Sequence, residues 1–152
     1  GVDIAEQRAQ AVHILRQAAT LAEAAGVTLL LEPLNTRIDH PGMFLNDTRL
    51  ALDIIEAVDS PRLQLLFDVY HSMVMEEEME EVLAGRMHLV GHVQIAQAPD
   101  RNEPDPRSGE WPALIARLQR LGYNGAIGLE YKPSLPAAAS VARAREATGL
   151  SC

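Results

Sequence analysis

Four polar side chains in this sequence each follow directly on a short apolar run, and each could ligate a metal ion. The intervals between them are 36, 26 and 36 residues, near the roughly 30 residues of one strand–helix unit in an eight-unit barrel of about 250 residues. Side chains at the carboxyl ends of parallel strands point into the mouth of such a barrel, so we expect the four to converge. Converging carboxylates repel one another unless a cation joins them, and hard oxygen ligands suit Mg²⁺ or Mn²⁺. The pattern therefore predicts a divalent-metal site formed by Glu32, Asp68, Gln94 and Glu130.

The elements that must position these side chains alternate strictly between helix and strand. Continuous apolar runs are typical of parallel strands buried on both faces, and apolar positions three and four residues apart are typical of helices. The fold class predicted is α/β, a parallel (β/α) TIM-barrel type with about four βα units, in one domain over residues 1–152. The expected helices are Ile4–Ala25, one capped by Asn46 or Asp47, and residues 76–84, 111–121 and 136–149; the expected strands are residues 28–31, 63–68, 89–95 and 125–130.

Composition limits the partners and the compartment. A net charge of −8 argues against nucleic acid and against an anionic membrane surface, since both need a basic face. No apolar stretch approaches the ~20 residues of a membrane span, and no signal-peptide pattern opens the chain. The lone Cys152 cannot form an internal disulfide, which fits a reducing cytoplasm. A first residue Gly1 in place of Met suggests a trimmed or partial chain.

The two glutamates admit an alternative interpretation as solvated carboxylates at strand ends. Against it, Glu32 and Glu130 each follow an entirely apolar run, which is unlike a surface position. Two carboxylates on opposite sides of a bound substrate can remove a proton from one carbon and return one to its neighbour. This placement predicts general acid–base catalysis by the pair.

The remaining candidates have equally plain alternatives. Asp68 could be a helix cap, and His71, three residues later, could be a structural histidine; together they suggest a metal ligand beside an imidazole that polarises substrate. Arg101 lies in a long polar loop, where an arginine is commonly solvated, although over a metal site it would bind a substrate carboxylate in fork geometry. The sequence has no glycine-rich nucleotide motif, nucleophile elbow or zinc-spaced Cys or His pair, so redox-cofactor and nucleotide functions lack support.

Several strings in the chain resemble one enzyme family. LLLEPLNTR, LQLLFDVYH, GHVQIA, the loop APDRNEP followed by SGEW, and GLEYKP are similar to hydroxypyruvate isomerases, within the xylose-isomerase-like barrel superfamily. The resemblance covers residues 7–133 and corresponds to the C-terminal half of the barrel. The loop departs from the family pattern, because Gln97, Asp100 and Asn102 replace Asp, Gly and His, and Pro106-Arg107 precedes Ser108.

The resemblance implies a function for each candidate. Glu32, Asp68, Gln94 and Glu130 would bind the divalent metal, Glu32 and Glu130 would also transfer the proton, and His71 and Arg101 would contact substrate. The implied reaction interconverts hydroxypyruvate and 2-hydroxy-3-oxopropanoate through a cis-enediolate. Isomerisation of 2-oxotetronate and 3-epimerisation of a ketose are alternatives, although the epimerases usually have His where this chain has Gln94. Endonuclease IV shares the superfamily fold, but its zinc-binding histidines and basic face have no counterpart here.

A non-enzymatic alternative follows from the number of βα units. Four units form half a barrel, whose first and last strands leave unpaired edges that invite association. The chain could therefore be an inactive half-barrel that only self-associates. In either case we expect a homo-oligomer, with the strand that ends at Glu32 paired with the partner copy's strand that ends at Glu130.

Overall fold

The computed structural model describes residues 3–150, so Cys152 lies outside the described residues. Helices and strands alternate along the chain as the hydrophobic pattern predicted, except that two helices separate the second strand from the third. The helices are α1 (Ile4–Ala25), α2 (Thr48–Val58), α3 (Val69–Val74), α4 (Met79–Leu83), α5 (Trp111–Arg120) and α6 (Ala137–Thr148), with short 3₁₀ turns at Met87–Leu89 and Pro106–Ser108. The strands are β1 (Leu29–Leu31), β2 (Leu63–Asp68), β3 (Val90–Ile95) and β4 (Ile127–Leu129).

The four strands form one parallel sheet in the order β1-β2-β3-β4. This sequential parallel order is the arrangement of consecutive βα units in a TIM barrel, so the predicted fold class is confirmed. The register places Asp68 beside Gln94, and Gln94 beside Gly128. The carboxyl ends of the strands therefore meet at one edge of the sheet, where the predicted site lies.

One face of the sheet packs against the helices and forms the core. Alternate residues of β2, namely Leu63, Leu65 and Phe67, are buried there, together with Val93 and Ile95 of β3. The opposite face carries the intervening side chains that lead up to the site. Because side chains alternate across a strand, a shift of one residue would move the site residues into the core.

The longest helix has the predicted bounds, and its ends have local causes. In α1, Val12, Ala19 and Ala22 are buried, and the helix packs on α2. Gly26 ends it with φ 69°, a left-handed conformation that glycine adopts without the strain of a side chain. For α2, the cap is Asp47, whose carboxylate accepts from the Leu50 amide at 2.7 Å. The alternative cap, Asn46, instead donates to Thr36 Oγ1.

The helix predicted over residues 76–84 is wrong in its start. It begins at Met79, and Glu76 adopts a positive φ of 61° that no helix interior allows. The Glu77 carboxylate accepts from the amide and hydroxyl of Thr48, at 2.8 and 2.6 Å, so it caps the start of α2 and does not begin α4. The preceding helix α3 was missed because it follows β2 with no intervening loop and has the same apolar composition.

Both outer strands present unpaired edges within residues 3–150. Leu30 of β1 is 41% exposed and Leu129 of β4 is 42% exposed, whereas their neighbours in β2 and β3 are covered. An exposed apolar strand edge is a surface for pairing with further strands. No helix in the described part of the chain combines the length and hydropathy that a membrane crossing requires.

Candidate active site

Three of the predicted site residues and His71 converge at the carboxyl ends of β1 to β3. Single ligand atoms of Glu32, Asp68 and His71 all lie within 4.8 Å of one another. His71 Nε2 lies 3.7 Å from Glu32 Oε1 and 3.7 Å from Asp68 Oδ2. Gln94 joins them through its register position beside Asp68. The ends of β1 to β3 thus bring together three of the four side chains that the sequence spacing selected, Glu32, Asp68 and Gln94.

Four polar atoms at this point are buried and have no hydrogen-bond partner among the described residues. They are Glu32 Oε1, Asp68 Oδ2, His71 Nε2 and Gln94 Oε1. Unsatisfied buried polar atoms are rare in proteins, and each costs about 1–3 kcal/mol. Two carboxylate oxygens within 4.8 Å of one another and a buried amide oxygen on the neighbouring strand are the kind of donors that a hard divalent cation prefers. The residues therefore fit a bound cation.

Burial governs the electrostatics of the two carboxylates. It raises the pKa of Glu32 to about 7, with further upward contributions from the charges of Asp68 and Glu130. Burial also raises the pKa of Asp68 to about 6. The Tyr70 amide, which donates to Oδ1 at 2.9 Å, lowers that pKa but does not offset burial. For both groups loss of hydration is a larger cause than like-charge repulsion, and the Asp68 side chain is fully buried.

His71 has the opposite shift. Its pKa is lowered to about 4, mainly by burial and next by the positive charge of Arg101. The imidazole is therefore neutral near pH 7, as polarisation of a substrate oxygen requires.

Glu130 is joined to this cluster through Arg101. The Glu130 side chain is 52% exposed, and Arg101 Nη2 donates to its Oε2 at 2.9 Å while lying 3.7 Å from Asp68 Oδ2. The guanidinium also stacks over the Tyr70 ring, 4.9 Å from its centroid. Arg101 is thus largely buried beside the cluster and is not a solvated loop residue, while its contact with substrate stays a prediction.

Three residues without a predicted role connect to His71. Asn35 donates to His71 Nδ1 from its main-chain N at 3.1 Å and from Nδ2 at 2.7 Å. The same Nδ2 donates to Asp39 Oδ2, which also accepts from the Tyr70 hydroxyl at 2.6 Å. Burial, the largest single effect, would raise the pKa of Asp39, but these two hydrogen bonds and the charges of Arg101 and Lys132 together lower it. Sequence spacing could not identify Asn35 and Asp39, because they lie in a loop rather than at a strand end.

Comparison with known proteins identifies the fold's family. The sequence model of the family described as Xylose isomerase-like TIM barrel matches residues 1–148, and the chain belongs to this family. It is 41% identical over 131 residues to a 2-oxo-tetronate isomerase of Cupriavidus necator, covering 86% of this chain and 50% of that protein. It is 37% identical over 122 residues to hydroxypyruvate isomerase of Escherichia coli, covering 80% and 47%.

A solved structure agrees with this assignment. The crystal structure of an AP endonuclease, family 2, from Brucella melitensis superposes with a TM-score of 0.83 at 32% identity, covering 93% of this chain and 55% of that one. The chain thus spans about half the length of the relatives it matches. The resemblance drawn from the sequence strings is confirmed, and so is its extent of half a barrel.

Proposed function

We propose that this chain carries the catalytic half of a metal-dependent isomerase that interconverts hydroxypyruvate and 2-hydroxy-3-oxopropanoate. The observation that supports this most is the set of four buried, unpartnered polar atoms at the strand ends. A protein retains such atoms at a site where a ligand satisfies them. The names of the two isomerase relatives are consistent with the same class of reaction.

The divalent metal, Mg²⁺ or Mn²⁺, would be held by Glu32, Asp68, Gln94 and Glu130. When bound, such a cation polarises the carbonyl and hydroxyl oxygens of a substrate and acidifies the C–H bond between them. An all-oxygen set of this kind favours hard cations over zinc. Glu130 would turn from Arg101 toward the cluster to complete it.

Glu32 and Glu130 would move the proton. One carboxylate removes a proton from the hydroxymethyl carbon, leaving a cis-enediolate, and the other delivers a proton to the neighbouring carbon. The hydroxyl proton passes to the former carbonyl oxygen, so that atoms and charge balance.

His71 and Arg101 would bind the substrate. The neutral imidazole donates a hydrogen bond to the oxygen on which charge develops. The Arg101 guanidinium, held over Tyr70 at the edge of the cluster, would pair with the substrate carboxylate. A carboxylate-bearing hydroxy-oxo acid therefore suits this site better than an uncharged ketose.

Isomerisation of 2-oxotetronate is the nearest alternative, since it uses the same chemistry and is the activity named for the Cupriavidus necator relative. A ketose 3-epimerase would leave Arg101 without an anionic group to bind. A nuclease is disfavoured by the net charge of −8 and by a site with a single histidine among the described residues at the cluster.

The test is solvent deuterium uptake into hydroxypyruvate with Mn²⁺, followed by proton NMR. Glu130→Gln should retain the fold and most substrate affinity while reducing uptake by at least about 10²-fold. Glu146→Gln, an exposed change on α6, is the matched control and should exchange at the parent rate. Uptake by the Glu130→Gln protein at the parent rate would refute the acid–base assignment.

A further inference from the structure

We propose that Asn35 is a positioning residue that holds His71 in the Nε2–H tautomer, which makes His71 a hydrogen-bond donor to substrate and excludes it as a metal ligand. The tautomer follows from the hydrogen bonds alone. The use of the N–H on substrate rests on the isomerase function proposed above.

Nδ1 of His71 accepts hydrogen bonds, because the groups that face it can only donate. A main-chain amide has no acceptor capacity, and that of Asn35 lies 3.1 Å from Nδ1. The Asn35 Nδ2 group lies 2.7 Å from the same nitrogen. Both residues are buried, Asn35 with no exposed surface and His71 at 2%, so solvent cannot replace these donors. A neutral imidazole whose Nδ1 accepts must carry its hydrogen on Nε2.

The orientation of the Asn35 amide is itself determined by its other contacts. Its Oδ1 accepts from the main-chain amides of Ile38 and Asp39, at 3.1 and 3.0 Å. Its Nδ2 donates to Asp39 Oδ2 at 2.7 Å. The reversed amide would set its carbonyl against the Asp39 carboxylate and its NH₂ against two N–H donors. Nδ2 therefore faces His71 by necessity.

The Nε2–H group points into the acidic cluster. Nε2 lies 3.7 Å from both Glu32 Oε1 and Asp68 Oδ2, beyond hydrogen-bond distance, and has no partner among the described residues. A nitrogen that carries a hydrogen has no lone pair for a cation. Thus, although its position is close enough for ligation, His71 serves as the N–H donor for an oxygen placed between the carboxylates.

The test is ¹⁵N NMR of the histidine side chains in the full chain without metal, with His71→Gln used to assign the His71 signals. The parent protein should show an unprotonated Nδ1 and a protonated Nε2. Asn35→Asp retains the Oδ1 acceptor for Ile38 and Asp39 but replaces the Nδ2 donor by an acceptor. The main-chain amide is then the one donor to Nδ1 that remains among the described residues, so the Nδ1 signal should move toward the protonated form. Asn46→Ala removes an amide whose hydrogen bond within residues 3–150 is to Thr36, and it should leave both His71 signals unchanged.

A protonated Nδ1 in the parent protein, or an unchanged Nδ1 in Asn35→Asp, would overturn the proposal. If Asn35→Asp does not fold, Asn35→Ala serves as the test. Its His71 signals should shift toward a mixture of the two tautomers, and signals equal to those of the parent would overturn the proposal. Under turnover with Mn²⁺, Asn35→Asp should lower kcat by about 10²-fold or more with little change in KM or in Mn²⁺ affinity. If the parent lacks isomerase activity, the proposed function fails while the NMR result still decides the tautomer.

Discussion

At the scale of single residues, the site contains acidic side chains whose burial disfavours their ionised form. Glu32 and Asp68 both have raised pKa values because they are removed from water before any counter-charge is supplied. Arg101 offsets part of this penalty, lying 3.7 Å from Asp68, but is itself shared with Glu130. The folded chain is thus arranged to gain stability from a cation, and two predictions test this.

The stability of the metal-free chain should fall as pH rises from about 4.5 to about 7. Across this window the folded Glu32 and Asp68, with pKa values of about 7 and 6, retain protons that the unfolded chain has released. His71 acts in the opposite direction between about 4 and 6.5, because its folded pKa is about 4, but two carboxylates outweigh one imidazole. Urea unfolding in EDTA at several pH values would measure the slope. Saturating Mn²⁺ should abolish it, and a flat profile in EDTA would contradict the assigned pKa directions.

Asp68→Asn should stabilise the metal-free chain and weaken metal binding. The amide removes a buried charge, whose raised pKa corresponds to on the order of 1–3 kcal/mol at pH 7, and it still accepts from the Tyr70 amide. Mn²⁺ affinity, measured by calorimetry, should fall by at least about 10-fold. Asp53→Asn, a change in an exposed pair with Arg86, is the control, and equal Mn²⁺ affinity in the two variants would refute the ligand role of Asp68.

At the scale of elements, the register of the strands determines which side chains lie next to one another at the site, and contacts from the loops stabilise that register. Tyr123, 6% exposed, follows α5; its hydroxyl accepts from the amide of Val93 in β3 at 3.1 Å and donates to the carbonyl of Ala126 at 2.6 Å. This one hydroxyl joins the strand that carries Gln94 to the start of β4. The strand that ends at Glu130 is thereby tied to the rest of the site.

Tyr123→Phe should destabilise the chain by about 1–3 kcal/mol, since it removes both the hydrogen bond from the buried Val93 amide and the one to the Ala126 carbonyl. Tyr131→Phe removes a half-buried hydroxyl that accepts from Ser140 at 2.8 Å. It should cost less than about 1 kcal/mol, because the Ser140 hydroxyl also has the Glu103 carboxylate as an acceptor. The free energies of unfolding come from urea titration of the two variants beside the parent. Equal losses in both would show that Tyr123 does not support the strand in this way.

At the scale of the whole molecule, the unpaired edges of β1 and β4 are the main feature that favours association with another chain. Leu30 and Leu129 are each about two-fifths exposed on these strands, and Ile14 and Leu21 of α1 are exposed at 60% and 73%. Apolar surface left in water forfeits about 25 cal/mol for each Å² that a partner would bury. A stable isolated monomer with this much apolar edge is therefore disfavoured.

We expect the purified chain to associate, with a second copy covering these edges through rotation about the barrel axis. Sedimentation equilibrium should give twice the chain mass, and Leu30→Glu should shift the molecules toward monomer. Glu146→Gln again serves as the neutral control. A cooperatively unfolding monomer would overturn this expectation. A dimer without isomerase activity would support the self-associating half-barrel alternative.

Local pattern alone was sufficient for the alternation of elements and for the side chains at the strand ends. The apolar runs that end at Glu32, Asp68 and Gln94 determine parallel strands, and parallel strands necessarily bring their carboxyl ends to one edge. The same logic failed at residues 69–78, where an apolar helix follows β2 directly and the acidic run caps α2 through Glu77. Propensity could not anticipate that, because the partner, Thr48, lies 29 residues away.

Only the tertiary structure decided how the site residues face one another. Arg101 lies in a loop, where its own φ is 56°, and its side chain contacts Glu130 and Asp68. Asn35 contacts His71, which lies 36 positions later in the sequence. Strand periodicity assigns a side chain to a face of the sheet, but a loop has no period, so its contacts depend on the packing of the whole fold. The sequence by itself therefore determined that Glu32, Asp68 and Gln94 follow the strands at one edge of the sheet, and the fold decided which loop residues contact them and which of their polar atoms have no hydrogen-bond partner among the described residues.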